Sequence, residues 1–395
     1  MKNDKFAFFI GVDVSKDKFN CAIINNKLEL LKEAEFQMDI DGFNSFYDLI
    51  KKYDSSIIAL ESTGSYHINL LASLVSKKKD VCLINPALIK KFAQSVTLRK
   101  TKTDKIDAVI IAKFIAKNIE HFNYFALPES NDIIALARMR EHITQQIARV
   151  KTQLKQHLTV VFPELVANAN VFTQSILHIL KHMPTAEIIR NANEDDIQKI
   201  LDELKFAHKS NITPQKLISL AKSSIGISSD IWATVIKEDV EMLIFLNSRL
   251  DNITKEFIDK IKSSKKDDME IITSIKGIND ITAAHFLAEI KDINRFANKG
   301  KLAAYAGIDP AIKQSGSMYS NGRISKKGSR SLRRILYLMA SGVMKFNEYF
   351  RAYYLKKKEE GMPHRKAMIA LCNKLVRVLY AMLTKKEVFH MPKLS

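Results

Sequence analysis

Asp104 and Asp107 stand three residues apart in the stretch TLRKTKTDKIDA, directly after Arg99, Lys100 and Lys102. At that spacing two carboxylates share one face of a helix. One reading is a capped, solvated helix start, with Asp104 or Thr103 as the cap. The other is a site for a hard cation, with Arg99, Lys100, Lys102 and Lys105 holding a phosphate beside it. Two more acids bear on the choice. Asp13 lies in the apolar run FAFFIGVDV between Val12 and Val14, where a charge is costly unless it is paired or binds a cation. Glu61 closes the apolar run of SIIALEST, at a strand end where α/β sites collect. Taken singly, Asp13 can begin a turn, Glu61 can be an ordinary strand end and Asp104 a helix cap. Taken together, the four can converge on two Mg²⁺ ions, with Mn²⁺ as the alternative. Two such ions about 4 Å apart stabilise the attacking and leaving oxygens of phosphoryl transfer.

The elements that must position these acids follow from hydrophobic periodicity. Phe6 to Val14, FNCAIINN and NKLELLKEAEFQ read as strands of a meander. DGFNSFYDLIKKY reads as an amphipathic helix with Asp41 as its cap. A strand ending at Glu61, the helix SYHINLLASLVSKK, the strand DVCLINP and the helices ALIKKFAQSV and DKIDAVIIAKFIAKN complete an α/β domain. Ser130 to about Phe162 is one long helical pattern stopped by Pro163. Residues 164 to 268 read as helical with little chemistry, and the stretch around residues 215–262 as a coiled-coil-like arm or ordinary bundle packing. From about Asp268, the turn KGIN between two helical patterns resembles a helix-hairpin-helix, which offers backbone amides to phosphate. The expected class is therefore α/β plus α, in three parts: 1–128, 129–267 and 268–395.

The chain of 395 residues carries 62 Lys and Arg against 43 Asp and Glu, a net charge of +19. From Lys301 to Ser395 the count is 20 against 5, while the first 300 residues hold 42 against 38. A polyanion is thus expected to meet mainly the C-terminal quarter. Cys21, Cys82 and Cys372 are far apart and form no CxxC pair, which argues against a zinc knuckle or a disulfide framework and fits a reducing cytosol. The N-terminal apolar run reads as a strand and not a signal peptide, and no run of 18 or more apolar residues marks a membrane span.

At this point a resemblance becomes specific. A strand Asp, a strand-end Glu and a helical Asp pair are similar to the DEDD set of RuvC-like nucleases with a ribonuclease H-type fold. GVDVSKDKF, ALESTGSYH, INPALIKKFAQS, KTDKIDA and, later, LAAYAGIDP, QSGS and GRISKKGSRSLRR resemble the DEDD-type insertion-sequence transposases, which are related to Piv-type DNA invertases. The resemblance implies an N-terminal RuvC-like domain, a helical arm and a mostly helical C-terminal transposase domain. It implies Mg²⁺ held by Asp13, Glu61, Asp104 and Asp107. It also implies a nucleophilic serine that joins covalently to a DNA phosphate. Ser315, before Gly316, matches the family pattern, with Ser317 and Ser320 as competitors. Arg323, Lys326, Lys327, Arg330, Arg333 and Arg334 would bind phosphates. Double-stranded DNA, a structured guide RNA from the element's own non-coding end, and further copies of the chain in a dimer or tetramer are the implied partners, in a prokaryotic cytoplasm at the nucleoid.

Other residues have plainer readings. His67 is expected on a helix surface, though it could approach the metals, and Tyr66 and Tyr305 are expected in or near the core. The competing functions are a junction nuclease that uses metal-activated water and no serine, and a non-catalytic nucleic-acid-binding protein whose acids are structural.

Overall fold

Strands apolar on both faces belong at the centre of a sheet that is covered on both sides. β1 (Phe8–Val14) and β4 (Ser56–Glu61) have that character. In the computed structural model, which describes residues 5–62, 66–96, 104–121, 131–204, 212–315 and 318–391, they pair in parallel at the middle of a five-stranded sheet. Side chains at 96, 104–106, 121, 131 and 310–323 lie outside the description. β2 (Lys18–Asn25) and β3 (Leu30–Gln37) add antiparallel to one side, and β5 (Val81–Ile84) adds parallel to the other. The order is β3-β2-β1-β4-β5, an antiparallel meander continued by parallel strands, which is the ribonuclease H-type arrangement.

Four helices of this unit cover the sheet. α1 (Ile40–Ile50) and α2 (His67–Ser76) supply Phe46, Ile50, Leu70 and Leu74 to one face, against Ile10, Val12, Phe19 and Leu60. α3 (Pro86–Val96) and α4 (Asp104–Asn118) cover the other, where Ile111 and Ile115 meet Phe9, Ile24 and Ile57. The cap of α1 is Asp39, whose carboxylate accepts from the Gly42 amide at 2.8 Å, and not Asp41, which sits in the first turn.

α4 approaches β1 backbone to backbone. A Cβ at Gly11 would lie 2.1 Å from the Ala108 carbonyl oxygen and 2.4 Å from the Ala112 amide nitrogen. Only glycine allows that contact.

The chain forms two compact units, residues 1–131 and 132–395. Beyond the start of α5 (Asn131–Val161), the second unit is mostly helical. α6 (Pro163–Asn168), α7 (Gln174–His182), α8 (Ala186–Asn191), α9 (Glu194–Asp202) and α10 (Pro214–Lys222) pack around Leu158, Phe162, Leu180 and Ile197. α11 (Asp230–Thr273) runs for 44 residues, broken only at Lys265 (φ −144°, ψ 46°). Its Val240 and Leu243 join that cluster, whereas Phe257 and Ile261 join a second one.

The second cluster is built from α12 (Asp280–Ile290), α13 (Lys299–Ala306), α14 (Arg330–Phe346), α15 (Glu348–Glu359) and α16 (His364–Lys385). By length and composition α16 is apolar enough to cross a membrane, but its Leu371, Cys372, Leu375 and Leu379 are fully buried in this cluster. The KGIN turn joins α11 to α12 as a helical hairpin: Gly277 (φ +103°) makes the turn, Asn279 caps α12, and the turn lies backbone-to-backbone on Gly342 of α14.

The stretch after α13 is not helical. It forms a β-hairpin, β6 (Pro310–Ser315) and β7 (Met318–Ile324), with Ser315 opposite Met318. The base of the hairpin is fastened to its neighbours. Ser325 Oγ donates to Asp309 Oδ1 (2.5 Å), the Lys326 amide to Gly307 O (3.1 Å) and the Ser329 amide to Tyr305 O (2.7 Å).

Behind this base lies a buried polar cluster. Ser329 caps α14 by accepting from the Leu332 amide and donates to Glu289 Oε2 at 2.8 Å. Arg138 lies 2.6 Å from the other oxygen of Glu289 without the alignment of a hydrogen bond. Arg140 donates to Thr254 (2.8 Å) and lies 3.4 Å from His285 Nε2. Burial, and then the charges of Arg140, Arg334 and Arg138, push the His285 pKa down to about 3.

This packing has two measurable consequences. Gly11→Ala should cost about 1–3 kcal/mol of unfolding free energy through overpacking, read as a lower urea midpoint. An unchanged midpoint would mean that α4 is not seated on β1. For His285, the ring is neutral in both states above the unfolded-state pKa near 6.5. As pH falls, the unfolded chain takes up the proton first and is favoured. This stability contribution is therefore complete above about pH 6.5 and is lost toward pH 3. The drop in Tm between pH 7 and pH 4 should be smaller in His285→Gln than in the unsubstituted chain, and an equal drop would contradict the buried neutral ring.

Candidate active site

Strand register decides where the two strand acids stand. β1 and β4 run in parallel with Gly11 beside Ala59 and Val12 beside Leu60. One residue further along each strand come Asp13 and Glu61, at adjacent C-terminal strand ends and both half-buried. Side chains alternate along a strand, so Gly11, Asp13, Ala59 and Glu61 share a face. That face is the one covered by α4, because Ala59 packs with Ile111 and Gly11 touches Ala108 and Ala112.

The helix acids enter through the same contact. Asp107 directly precedes Ala108, whose carbonyl abuts Gly11, and is itself half-buried. Asp104 opens α4 one turn earlier; its side chain lies outside the described residues. The fold thus brings Asp13, Glu61 and the first turns of α4 to one end of one sheet face. Both readings of the opening motif, a cation site and a cap at Asp104, are compatible with this placement. Lys105 belongs to α4 with its side chain undescribed, and Arg99, Lys100 and Lys102 lie outside the described residues.

Across the sheet the row continues. Asp13 faces Asn20 on β2, and Asn20 faces Glu35 on β3. Lys18 donates to Glu35 Oε2 at 2.8 Å. Asn20 is 4% exposed, and its Oδ1 has no hydrogen-bond partner among the described residues. A buried unpaired carbonyl beside a carboxylate fits a water or cation that the two would share. Asn20 is not among the candidates that sequence reasoning finds; the available signal is an amide inside the otherwise apolar strand KFNCAIIN.

His67 is a second difference. In place of the expected surface position, it is buried at the start of α2, with Nδ1 lacking a partner among the described residues. Tyr66 is exposed, contrary to a core role, whereas Tyr305 is half-buried, its ring tilted against that of Phe296.

In the second unit, Ser315 ends β6, and the side chains of Ser315, Ser320 and Arg323 are undescribed, as is Ser317 as a whole. Lys326, Lys327 and Arg330 are exposed around the N-terminus of α14. Arg333 instead donates to Ala306 O at 2.9 Å, and Arg334 pairs with Glu141 Oε1 at 3.1 Å. No acid opposes this basic run locally, but Glu141 on α5 reaches it through the fold. All three cysteines are free and buried, and burial pushes each thiol up to about 12.

Comparison with known proteins agrees with this layout. A family model of DEDD-type IS110 elements, described as "Transposase", matches residues 10–163, which include Asp13, Glu61, Asp104 and Asp107. A model described as "Transposase IS116/IS110/IS902 family" matches residues 269–355, which include Ser315. Similar proteins span nearly the whole chain. An insertion element IS116 protein of Streptomyces clavuligerus is 23% identical, over 96% of both chains. A pilin gene-inverting protein of Moraxella bovis is 25% identical, over 96% of this chain and 97% of its own. A transposase for the insertion sequence element IS1111A of Coxiella burnetii is 20% identical, over 96% and 90%. Among solved structures, T. thermophilus RuvC in complex with a Holliday junction substrate matches 30% of this chain and 99% of its own at 10% identity. Its TM-score of 0.25 is too low to bear on the fold, which rests on strand order. With the two models placed at the two ends of the chain and full-length relatives between them, the chain belongs to the IS110/IS116 family of DEDD-type DNA transposases.

Proposed function

We propose that this transposase cuts and exchanges the strands of an insertion sequence with two chemical centres, a carboxylate metal site in the first unit and Ser315 in the second. The observation that carries the first centre is the contact of Ala108 with Gly11, which supports Asp13, Glu61, Asp104 and Asp107 acting together. Their donors fit Mg²⁺, or Mn²⁺, since both take carboxylate oxygens and retain waters. The orphaned Asn20 Oδ1 fits the same set as a partner for a retained water. When bound, the ions supply charge neutralisation at the phosphate and a more acidic attacking hydroxyl.

Ser315 is the proposed nucleophile. Its Oγ forms a bond to phosphorus while the bond from phosphorus to one deoxyribose oxygen breaks. The serine proton ends on that leaving oxygen, and the DNA end is held as a phosphoserine diester. A hydroxyl of the second strand then attacks the same phosphorus, and the serine oxygen leaves and regains a proton. Ser317 is the alternative nucleophile. The hairpin base fastened to Gly307, Asp309 and Glu289 supports Ser315, since nucleophiles belong on rigid supports. Exposed Lys326, Lys327 and Arg330, with Arg323, would hold phosphates near it. Arg333 and Arg334 would then contribute mainly through their contacts to Ala306 and Glu141.

The wider reading follows the family. A structured RNA of the element itself would bring donor and target DNA together, which the basic C-terminal quarter accommodates. The named activities of relatives, gene inversion in Moraxella and transposition in Coxiella, support recombination on chromosomal DNA in the cytoplasm. The parts bounded at 1–128, 129–267 and 268–395 remain part of this reading; the first boundary lies close to that between the two compact units, while Phe257 and Ile261 of the middle part pack with the C-terminal helices. Exposed Met242 and Phe245 on α11 support that arm as a contact between copies in a dimer or tetramer.

The test is a denaturing gel after incubation with the element's junction DNA, its flanking RNA and Mg²⁺. A covalent adduct is expected with the unsubstituted chain and none with Ser315→Ala or Asp104→Asn. Cleaved DNA without an adduct, undiminished in Ser315→Ala, would overturn the serine step in favour of hydrolysis by water.

A further inference from the structure

The residues after Pro163 show little chemistry in their sequence, yet the fold gathers three metal-ligating side chains there. His178 and His182 lie four residues apart on α7, in the motif HILKH, and so project from one helix face. Glu203 follows the last turn of α9. α7 and α9 are held together from beneath by Ile176, Leu180 and Ile197, all buried. This packing sets Glu203 beside the histidine pair: His178 Nε2 is 3.0 Å from Glu203 Oε2, and the two imidazole rings have centroids 4.9 Å apart. One ligand atom from each residue lies within 4.8 Å of the others.

We propose that His178, His182 and Glu203 form a zinc site that clamps the end of α9 to α7. Two imidazole nitrogens and one carboxylate oxygen are a ligand set that Zn²⁺ accepts in tetrahedral geometry, with water in the fourth position. A metal–ligand distance near 2 Å brings tetrahedral donors to about 3.4 Å from one another, which small rotations of these half-buried and exposed side chains reach. Mg²⁺ is a poor fit, because it favours all-oxygen octahedral surroundings. The site therefore differs in metal preference from the carboxylates of the first unit. Lys181, the neighbouring cation on α7, lies 3.9 Å from Glu241 of α11 and so is paired away from the histidines. The clamp does not depend on the transposition chemistry, and its role is to stiffen the helical unit.

The experiment is calorimetric titration of the full-length, chelator-treated chain with ZnCl₂ and, separately, MgCl₂. It is done on the unsubstituted protein, His178→Ala, His182→Ala, Glu203→Gln and Asp13→Asn. Co²⁺ absorption in the visible serves as a second readout of tetrahedral histidine ligation. One Zn²⁺ equivalent is expected to survive in Asp13→Asn and to weaken roughly tenfold or more in each histidine variant. Mg²⁺ should give no heat that the histidine variants alter. Because His182 is exposed and outside the His178–Glu203 pair, His182→Ala should keep the metal-free Tm. Zinc affinity unchanged by His178→Ala and His182→Ala, or a Co²⁺ spectrum without tetrahedral bands, would overturn the proposal and leave His178 and Glu203 as a simple ion pair.

Discussion

The site in the first unit depends on one backbone contact. At Gly11 the absence of a side chain lets the Ala108 carbonyl and Ala112 amide of α4 rest directly on β1. Two residues along the strand stands Asp13, and one residue back along the helix stands Asp107. A methyl group at Gly11 would force the helix away, and the helix acids would leave the sheet with it. The parallel register does the rest, since Val12 beside Leu60 leaves Asp13 and Glu61 as neighbours at the strand ends.

The second unit solves a different problem. Its hairpin carries Ser315 on a segment rich in glycine, serine and cations, which has little apolar surface of its own to fix it. The fold compensates at the base. Ser325, Lys326 and Ser329 are tied to Asp309, Gly307 and Tyr305, and Glu289 receives Ser329 from a buried position. His285, held neutral among arginines, and Arg140 complete the support. The cluster is only partly satisfied, because His285 Nδ1 and Glu289 Oε1 have no hydrogen-bond partner among the described residues.

Most of the secondary structure is legible in the sequence because periodicity reports burial. The continuous apolar runs ending at Val14 and Glu61 identify the central strands, and KGIN marks its turn through a glycine that adopts positive φ. What escapes such reading has physical causes. The helix cap shifts from Asp41 to Asp39 because both are plausible acceptors and only the approach of the preceding strand selects between them. The β6–β7 hairpin escapes because KQSGSMYSNGR lacks the apolar alternation that marks a half-buried strand. Asn20, buried His67 and the pairing of Arg334 with Glu141 depend on tertiary neighbours that no local spacing encodes. The four acids themselves are found because their residue types and order match a family pattern; that Asp13 and Glu61 share a face, with Asp107 next to Ala108 on the helix that covers it, becomes visible only with the register and the Gly11 contact.

The proposed cation site joins the strand acids to the helix acids. Crystals of the full chain soaked in MnCl₂ test it directly through anomalous scattering. A peak is expected within ligand distance of Asp13, Glu61 and the Asp104–Asp107 turn, lost in Asp13→Asn. Manganese bound elsewhere, with these carboxylates engaged only by lysine and arginine, would contradict it.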